Sequence, residues 1–168
     1  MASGESLRER ISGALAGQSA RTKTVLSSLL AIEDELGYIP PPAIEQVARF
    51  TGSTINDVWG VASFYTNFRF TPPGEHVVEL CWGPTCHLLG AQQIIQAALQ
   101  TLGLNEEGDT ADGKVSLKYN TCLGACPQGP VISIDHKILS PQSLGVNGGA
   151  AMSERVAELV SRLRNGTS

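Results

Sequence analysis

Four cysteines are the residues of this chain best suited to chemistry. Cys81 and Cys86 stand in CWGPTCHLLGA, four residues apart, and Cys122 and Cys126 stand in TCLGACPQGP, three apart, with 35 residues between the pairs. A thiolate is a nucleophile, a redox group and a soft metal ligand. Two close pairs therefore admit several readings: disulfides, a zinc site, a dithiol redox centre, the ligands of an iron–sulfur cluster, or inert buried thiols. Four cysteines allow about three disulfide connectivities, but a reducing compartment disfavours all of them. Structural zinc sites space each cysteine pair by about two to four residues, so both pairs fit, the first at the long end. A thioredoxin-type dithiol wants Cys-x-x-Cys at a helix start, and neither pair has that spacing. The iron–sulfur reading leads. Both loops are short and carry glycine or proline, and Gly83 and Gly124 let the backbone turn tightly and approach a bound group. Backbone N–H groups facing cluster sulfides tune its potential, and two thiolates from each of two loops suit the two irons of a [2Fe–2S] centre.

Such loops need elements to bring them together. HVVELC (76–81) reads as a short buried strand ending on Cys81, and VSLKYN (115–120) as an alternating strand ending two residues before Cys122. If the two strands are neighbours, both loops leave the same end of a sheet and the four thiols can converge. Between them a helix is expected from about His87 to Leu102, closed by Gly103, and then a polar loop, NEEGDTADGK. VISID (131–135) reads as a further strand, LSPQSLGVNGGAA as a mobile Gly-rich loop, and Ser153 as the cap of a last helix carrying Val156, Leu159, Val160 and Leu163. The second half thus reads β-α-β-β-α, a small sheet with helices packed on it.

The first 70 residues read as helices instead. Leu7, Ile11 and Leu15 share one face, and Val25, Leu29, Ile32 and Leu36 mark a helix from about Thr22 that ends at Gly37. A third is expected over about 42–50 with Ile44 and Val47 inward. A fourth, capped by Ser53 or Thr54, carries Ile55, Val58, Trp59 and Val61. Pro72-Pro73-Gly74 is the expected boundary between a helical region, 1–73, and a second domain, 74–168.

Bulk properties narrow the function classes. The chain has 168 residues, 42% hydrophobic and 17% charged, with a mean hydropathy of zero and a formal net charge of −4. That is a globular composition, and a mildly acidic chain with no Lys/Arg block is a poor partner for nucleic acid or an anionic membrane. No apolar run approaches the roughly 20 residues that span a bilayer. The start, MASGESLRERISGALAG, has no secretory apolar stretch and mixes Glu5 and Glu9 with its arginines, so neither a secretory signal nor a transit peptide is expected. The expected setting is a reducing bacterial cytoplasm.

At this point the sequence resembles a known family. C-x₄-C, 35 residues, then C-x₃-C is similar to the NuoE-type subunit of respiratory complex I, a thioredoxin-like [2Fe–2S] ferredoxin. GYIPPPAIEQVARFTGSTINDVWGVASFYTNFRFTPPGEHVVELC, CHLLGA and TCLGACPQGP resemble family segments too, so the likeness runs over about residues 25–135. The resemblance implies an α+β (or α/β) chain: an N-terminal helical bundle followed by a thioredoxin-like ferredoxin domain. It implies one [2Fe–2S] cluster, with Cys81 and Cys86 on one iron and Cys122 and Cys126 on the other. It also implies single-electron exchange with FMN on a NuoF-type partner that carries the NAD(H) site. The parent complex would be complex I, at the cytoplasmic face of the membrane, or a related NAD-linked hydrogenase, formate dehydrogenase or electron-bifurcating complex. No independent catalytic site is expected. The alternative is a stand-alone zinc-stabilised or thiol-redox regulator on a thioredoxin-like scaffold. Two features depart from the family's pattern: the long segment after Ile138, and Trp82 beside the first cysteine, whose bulk would shield a cluster from water.

Other candidates have plainer readings. His76, His87 and His136 do not pair with cysteines as a Rieske-type centre requires. His87 is either a hydrogen-bond donor near the cluster or a polar residue at a helix start. Phe50, Trp59, Phe64, Tyr65, Phe68, Phe70 and Trp82 are expected to pack between the helical region and the second domain, with some left as a partner surface. GVNGGA lacks the spacing of a phosphate-binding loop, so nucleotide chemistry is expected on another chain.

Overall fold

The computed structural model describes residues 4–18 and 23–166. The chain divides into two compact units, Met1–Pro72 and Pro73–Ser168.

The first unit holds four helices: α1 (Gly4–Ala16), α2 (Val25–Leu36), α3 (Pro41–Thr51) and α4 (Ile55–Phe64). Their ends follow from local chemistry. Thr24 and Ser27 exchange side-chain and backbone hydrogen bonds in a capping box that starts α2. Thr54, not Ser53, does the same for α4 with Asp57. Pro41 occupies the first turn of α3, where its missing N–H costs nothing. Thr22, the expected start of α2, lies outside the described residues. Ile11, Leu29, Ile32, Ile44, Val47 and Val58 join in one core, which Phe68 enters from beyond α4. Ile55 and Trp59 remain exposed, because Val58 and Ala62, one helical turn apart, face that core with Val61 packed beside them. Leu29 is fully buried and belongs to a core that shares no residue with that of the second unit. Leu29→Ala is expected to destabilise the helical unit by about 2–5 kcal/mol. Two-transition thermal melts check this: the second unit's midpoint should not move.

The second unit is a five-stranded sheet with helices packed against it. Its elements are β1 (His76–Cys81), α5 (Pro84–Leu88), α6 (Ala91–Leu102), β2 (Gly108–Asp109), β3 (Val115–Asn120), a 3₁₀ turn (Cys126–Gln128), β4 (Ile132–Ile134), β5 (Lys137–Leu139), α7 (Pro141–Leu144) and α8 (Gly148–Asn165). The strand order is β2-β3-β1-β4-β5, with β1 and β3 parallel and the other neighbours antiparallel. The α5–α6 segment makes the crossover that a parallel pair requires. Val78, Leu80, Leu117 and Ile132 from the sheet meet Ile94, Ala98, Met152 and Val156 from α6 and α8 in one core.

Several expectations change. The helix expected over 87–102 is two helices, because Gly90 takes a left-handed conformation (φ 100°) between α5 and α6. The strand expected over 131–135 is the first arm of a hairpin. Its turn residues, Asp135 and His136, both have positive φ (48° and 65°), which Asp, Asn and His tolerate better than most residues. Asp135 is held there by accepting hydrogen bonds from the Val77 N–H at 2.8 Å and from His76 Nδ1 at 2.7 Å. The Gly-rich stretch is no mobile loop. It forms α7 and the start of α8, so α8 begins at Gly148 rather than at Ser153, whose hydroxyl donates to the Ala150 carbonyl inside the helix. Gly149 is needed for space: a Cβ there would lie 2.6 Å from the Leu89 carbonyl oxygen, so only glycine lets α8 meet the α5–α6 corner this closely.

The far end of α8 is tied by charge. Arg164 donates to Asp112 at 3.0 Å and to the Leu102 carbonyl at 3.2 Å. Asp112 also accepts from the Thr110 hydroxyl at 2.6 Å and the Lys114 N–H at 3.1 Å. These donors hold its carboxyl down at about 2, the Thr110 bond contributing most. A depressed carboxyl contributes stability that is fully present above its unfolded value of about 3.9 and is lost as pH falls through the folded value. Asp112→Asn is expected to melt lower than the parent at pH 5 and to converge with it as the pH approaches 2. Melting curves across that range check it.

Candidate metal centre

Parallel pairing places the two cysteine loops together. In the β1–β3 register Cys81 lies opposite Asn120, so both strands deliver their loops at the same end of the sheet. Two backbone contacts seat the first loop: the Cys81 N–H reaches the Val131 carbonyl at 3.4 Å and the Trp82 N–H reaches the Asn120 carbonyl at 2.8 Å. The Asn120 side-chain oxygen accepts from the Cys122 N–H at 3.1 Å and turns the chain into the second loop. There Gly124, with φ 75°, bends the backbone so that its N–H points at the Cys122 sulfur at 3.4 Å.

The four thiols lie side by side as two unlike pairs. Cys81 and Cys86 are buried and set in a small apolar cluster with Ala91 and Val131. Cys122 and Cys126 are exposed, their sulfurs 4.0 Å apart. Cys86 links the pairs, since it is close enough to feel charge on both Cys81 and Cys126. Burial is the main cause that pushes the Cys86 thiol up to about 11, opposed by a backbone hydrogen bond from Val131. Such a thiol stays protonated near neutral pH unless a cation takes its proton's place.

The loops also leave room for a bound group. Gly83 packs so closely that a Cβ there would lie 2.9 Å from the Thr121 carbonyl oxygen and 3.6 Å from the Cys81 sulfur. A Cβ on Gly129 would lie 3.5 Å from the Cys86 sulfur and 3.2 Å from the Cys126 carbonyl oxygen. Both glycines keep side-chain atoms away from the sulfurs. Among the described residues, no three His, Cys, Asp or Glu side chains gather as tightly as a single metal ion requires. Sulfurs arranged as two adjacent pairs, one buried and one exposed, fit a binuclear iron–sulfur cluster held by two thiolates per iron.

The other candidates settle nearby or elsewhere. His87 lies in the last turn of α5, its ring edge-on to Trp82 with centroids 4.6 Å apart. Trp82 is half-exposed and walls a cavity of about 230 Å³ with Gln92, Ile95, Gln96 and Tyr119, which places its ring along α6. His76 is engaged by Asp135, and His136 forms the hairpin turn. Of the aromatic group, Phe68 enters the helical core, while Phe64 stays exposed and Trp59 and Phe70 pack together at a tilt of 43° with centroids 5.0 Å apart. Sequence reasoning did not single out Val131 or Asn120, which seat the loops. Their only signal was their place immediately before and after the second cysteine segment, TCLGACPQGP. Among the described residues no helix is long and apolar enough to cross a membrane.

Known proteins are similar to this chain. The sequence profile of the thioredoxin-like [2Fe–2S] ferredoxin family matches residues 11–144, which include all four cysteines. NADH-quinone oxidoreductase subunit 2 of Thermus thermophilus is 36% identical over 115 residues, 68% of this chain and 64% of that one. A second E-type subunit of NADH-quinone oxidoreductase from Rhizobium meliloti is 33% identical over 128 residues, 76% of each chain. The E-type subunit of the same oxidoreductase from Escherichia coli K12 is 34% identical over 122 residues, 71% of this chain and 74% of that one. The match thus spans just under two thirds of the Thermus relative and about three quarters of the other two. Among solved structures, the NAD⁺-reducing [NiFe]-hydrogenase in its air-oxidised state superposes with a TM-score of 0.65 at 17% identity, over 90% of this chain and 25% of that chain. At that identity the likeness is one of fold.

Proposed function

The chain belongs to the thioredoxin-like [2Fe–2S] ferredoxin family, and from that premise we propose that it is the [2Fe–2S] electron-transfer subunit of an NADH-oxidising or NAD-reducing flavoprotein module. Cys81 and Cys86 hold one iron and Cys122 and Cys126 the other. The observation that carries this reading is the parallel β1–β3 register, which brings two cysteine pairs from distant parts of the chain to one end of the sheet.

The cluster supplies one-electron chemistry when bound; the chain's own residues do the rest. The buried pair anchors it in an apolar pocket, and the exposed pair leaves one side open toward a partner. Backbone N–H groups such as that of Gly124 supply hydrogen bonds to sulfur, which shift the potential. The partner is a NuoF-type subunit that would carry FMN and NAD(H), and a one-electron centre held by the four cysteines would complement the two-electron chemistry of that flavin. The family's named relatives are subunits of NADH-quinone oxidoreductases, which favours a place within a larger complex; our reading puts that complex at the cytoplasmic face of a membrane.

Anaerobic purification tests the reading. A red-brown chain with about two irons and two sulfides, paramagnetic once reduced, and retrieved together with a flavoprotein subunit, is the expected result. A colourless chain that takes stoichiometric zinc and refuses iron after reconstitution would overturn it.

A further inference from the structure

The two cysteine pairs differ in a way that cluster binding does not require. Cys81 and Cys86 are buried, whereas Cys122 and Cys126 are exposed with their sulfurs 4.0 Å apart. A disulfide needs a separation of about 2.05 Å, so side-chain rotation and a small backbone adjustment close the gap. The segment that must adjust is a short loop: Leu123 to Ala125 form no helix or strand, and only the 3₁₀ turn from Cys126 follows. The buried pair is also in contact, but its sulfurs sit under Ala91 and Val131, away from dissolved oxidants.

We propose that Cys122 and Cys126 form a reversible oxidation site in the cluster-free chain, closing a disulfide that blocks cluster insertion until a thiol reductant reopens it. The proposal rests on the reading of these cysteines as cluster ligands. The oxidant class is a peroxide. One sulfur, as thiolate, attacks a peroxide oxygen; the O–O bond breaks, and a sulfenic acid and one water result. The second sulfur attacks the sulfenic sulfur, the S–O bond breaks, and a second water leaves. Two thiols lose two electrons and two protons in total, and hydrogen peroxide becomes two waters. Thiol–disulfide exchange with a dithiol returns both thiols. While the bridge is closed, one of the two ligand pairs is withdrawn, so a chain that meets peroxide before its cluster is protected from further sulfur oxidation and held out of assembly.

The two pairs fall on separate tryptic peptides, residues 70–114 and 119–137, which makes the test direct. The full-length cluster-free chain is reduced, treated with equimolar hydrogen peroxide, alkylated and digested. The expected result is a 119–137 peptide lighter by two hydrogens and unalkylated, beside a 70–114 peptide alkylated at both cysteines. The same oxidised chain, offered ferrous iron and sulfide without reductant, should lose iron uptake, and dithiothreitol should restore it. A disulfide within 70–114, a bridge between the two peptides, full alkylation of 119–137, or undiminished iron uptake by the oxidised chain would each overturn the proposal. The reduced chain separates this outcome from the parent reading. If it takes up iron and sulfide while no 119–137 disulfide forms, the oxidation site alone fails. If the disulfide forms but the reduced chain never accepts iron, the cluster reading fails, and with it the block on assembly.

Discussion

Replacing Cys122 by serine is expected to abolish stable cluster binding while leaving the helical unit folded. Cys122 is exposed and lies outside all three apolar clusters, so exchanging its sulfur for oxygen removes a soft anionic ligand without opening a cavity. A serine hydroxyl keeps its proton far more tightly than a thiol and is a poor partner for iron in this setting. Iron and sulfide should fall from about two each per chain toward zero, with loss of the visible absorption and of the paramagnetic signal after reduction. Far-ultraviolet circular dichroism and the melting of the helical unit should be unchanged, since Cys122 takes no part in that core. Normal cluster content in the variant would remove Cys122 from the ligand set. Cys86→Ser is a harsher change, because it also puts a hydroxyl into the apolar pocket formed with Ala91 and Val131.

Gly83→Ala is expected to have the second large effect, for a steric reason. The backbone at Gly83 is ordinary (φ −61°), so alanine is not excluded by conformation. It is excluded by space: the new methyl would lie 2.9 Å from the Thr121 carbonyl oxygen, a backbone atom that cannot swing aside. Either the loop bearing Cys86 or the loop bearing Cys122 must retreat. Overpacking of this kind costs about 1–3 kcal/mol, and here it also separates the two thiol pairs. Reconstituted Gly83→Ala should hold substantially less iron than the parent and melt lower in its second unit. Gly13→Ala is the contrast, since among the described residues nothing lies within 4 Å of a Cβ built at this helical position, near the end of α1. Alanine there should stabilise the helical unit by about 0.5–1 kcal/mol. Equal iron content in Gly83→Ala and the parent would show that the loops have room to spare.

Much of the fold was legible because its signals are local. The four helices of the first unit announce themselves through 3.6-residue spacing and capping residues such as Thr54, with Gly37 and Gly103 closing α2 and α6 in left-handed geometry. HVVELC and VSLKYN read as strands because they alternate or run apolar between turn residues. The β4–β5 hairpin was missed because Asp135-His136 is a weak turn signal: its conformation is held by Val77 and His76, far away in sequence. The break at Gly90 was missed because an isolated glycine is tolerated inside a helix, and only the close approach of Gly149 shows why the chain turns there.

Residue type and spacing alone determined which atoms of this protein are the candidates to bind a metal: four thiols in two short loops, each following a strand. They also determined the helical character of the first unit and the mixed character of the second. Only the tertiary structure decided that the two pairs differ, one sealed beneath Ala91 and Val131 and the other open to solvent. The physical reason is that thiol chemistry and capping depend on neighbours along the chain. Burial depends on which distant segments pack above a residue, and here the loop before β4 and the start of α6 close over Cys81 and Cys86 while Cys122 and Cys126 stay exposed.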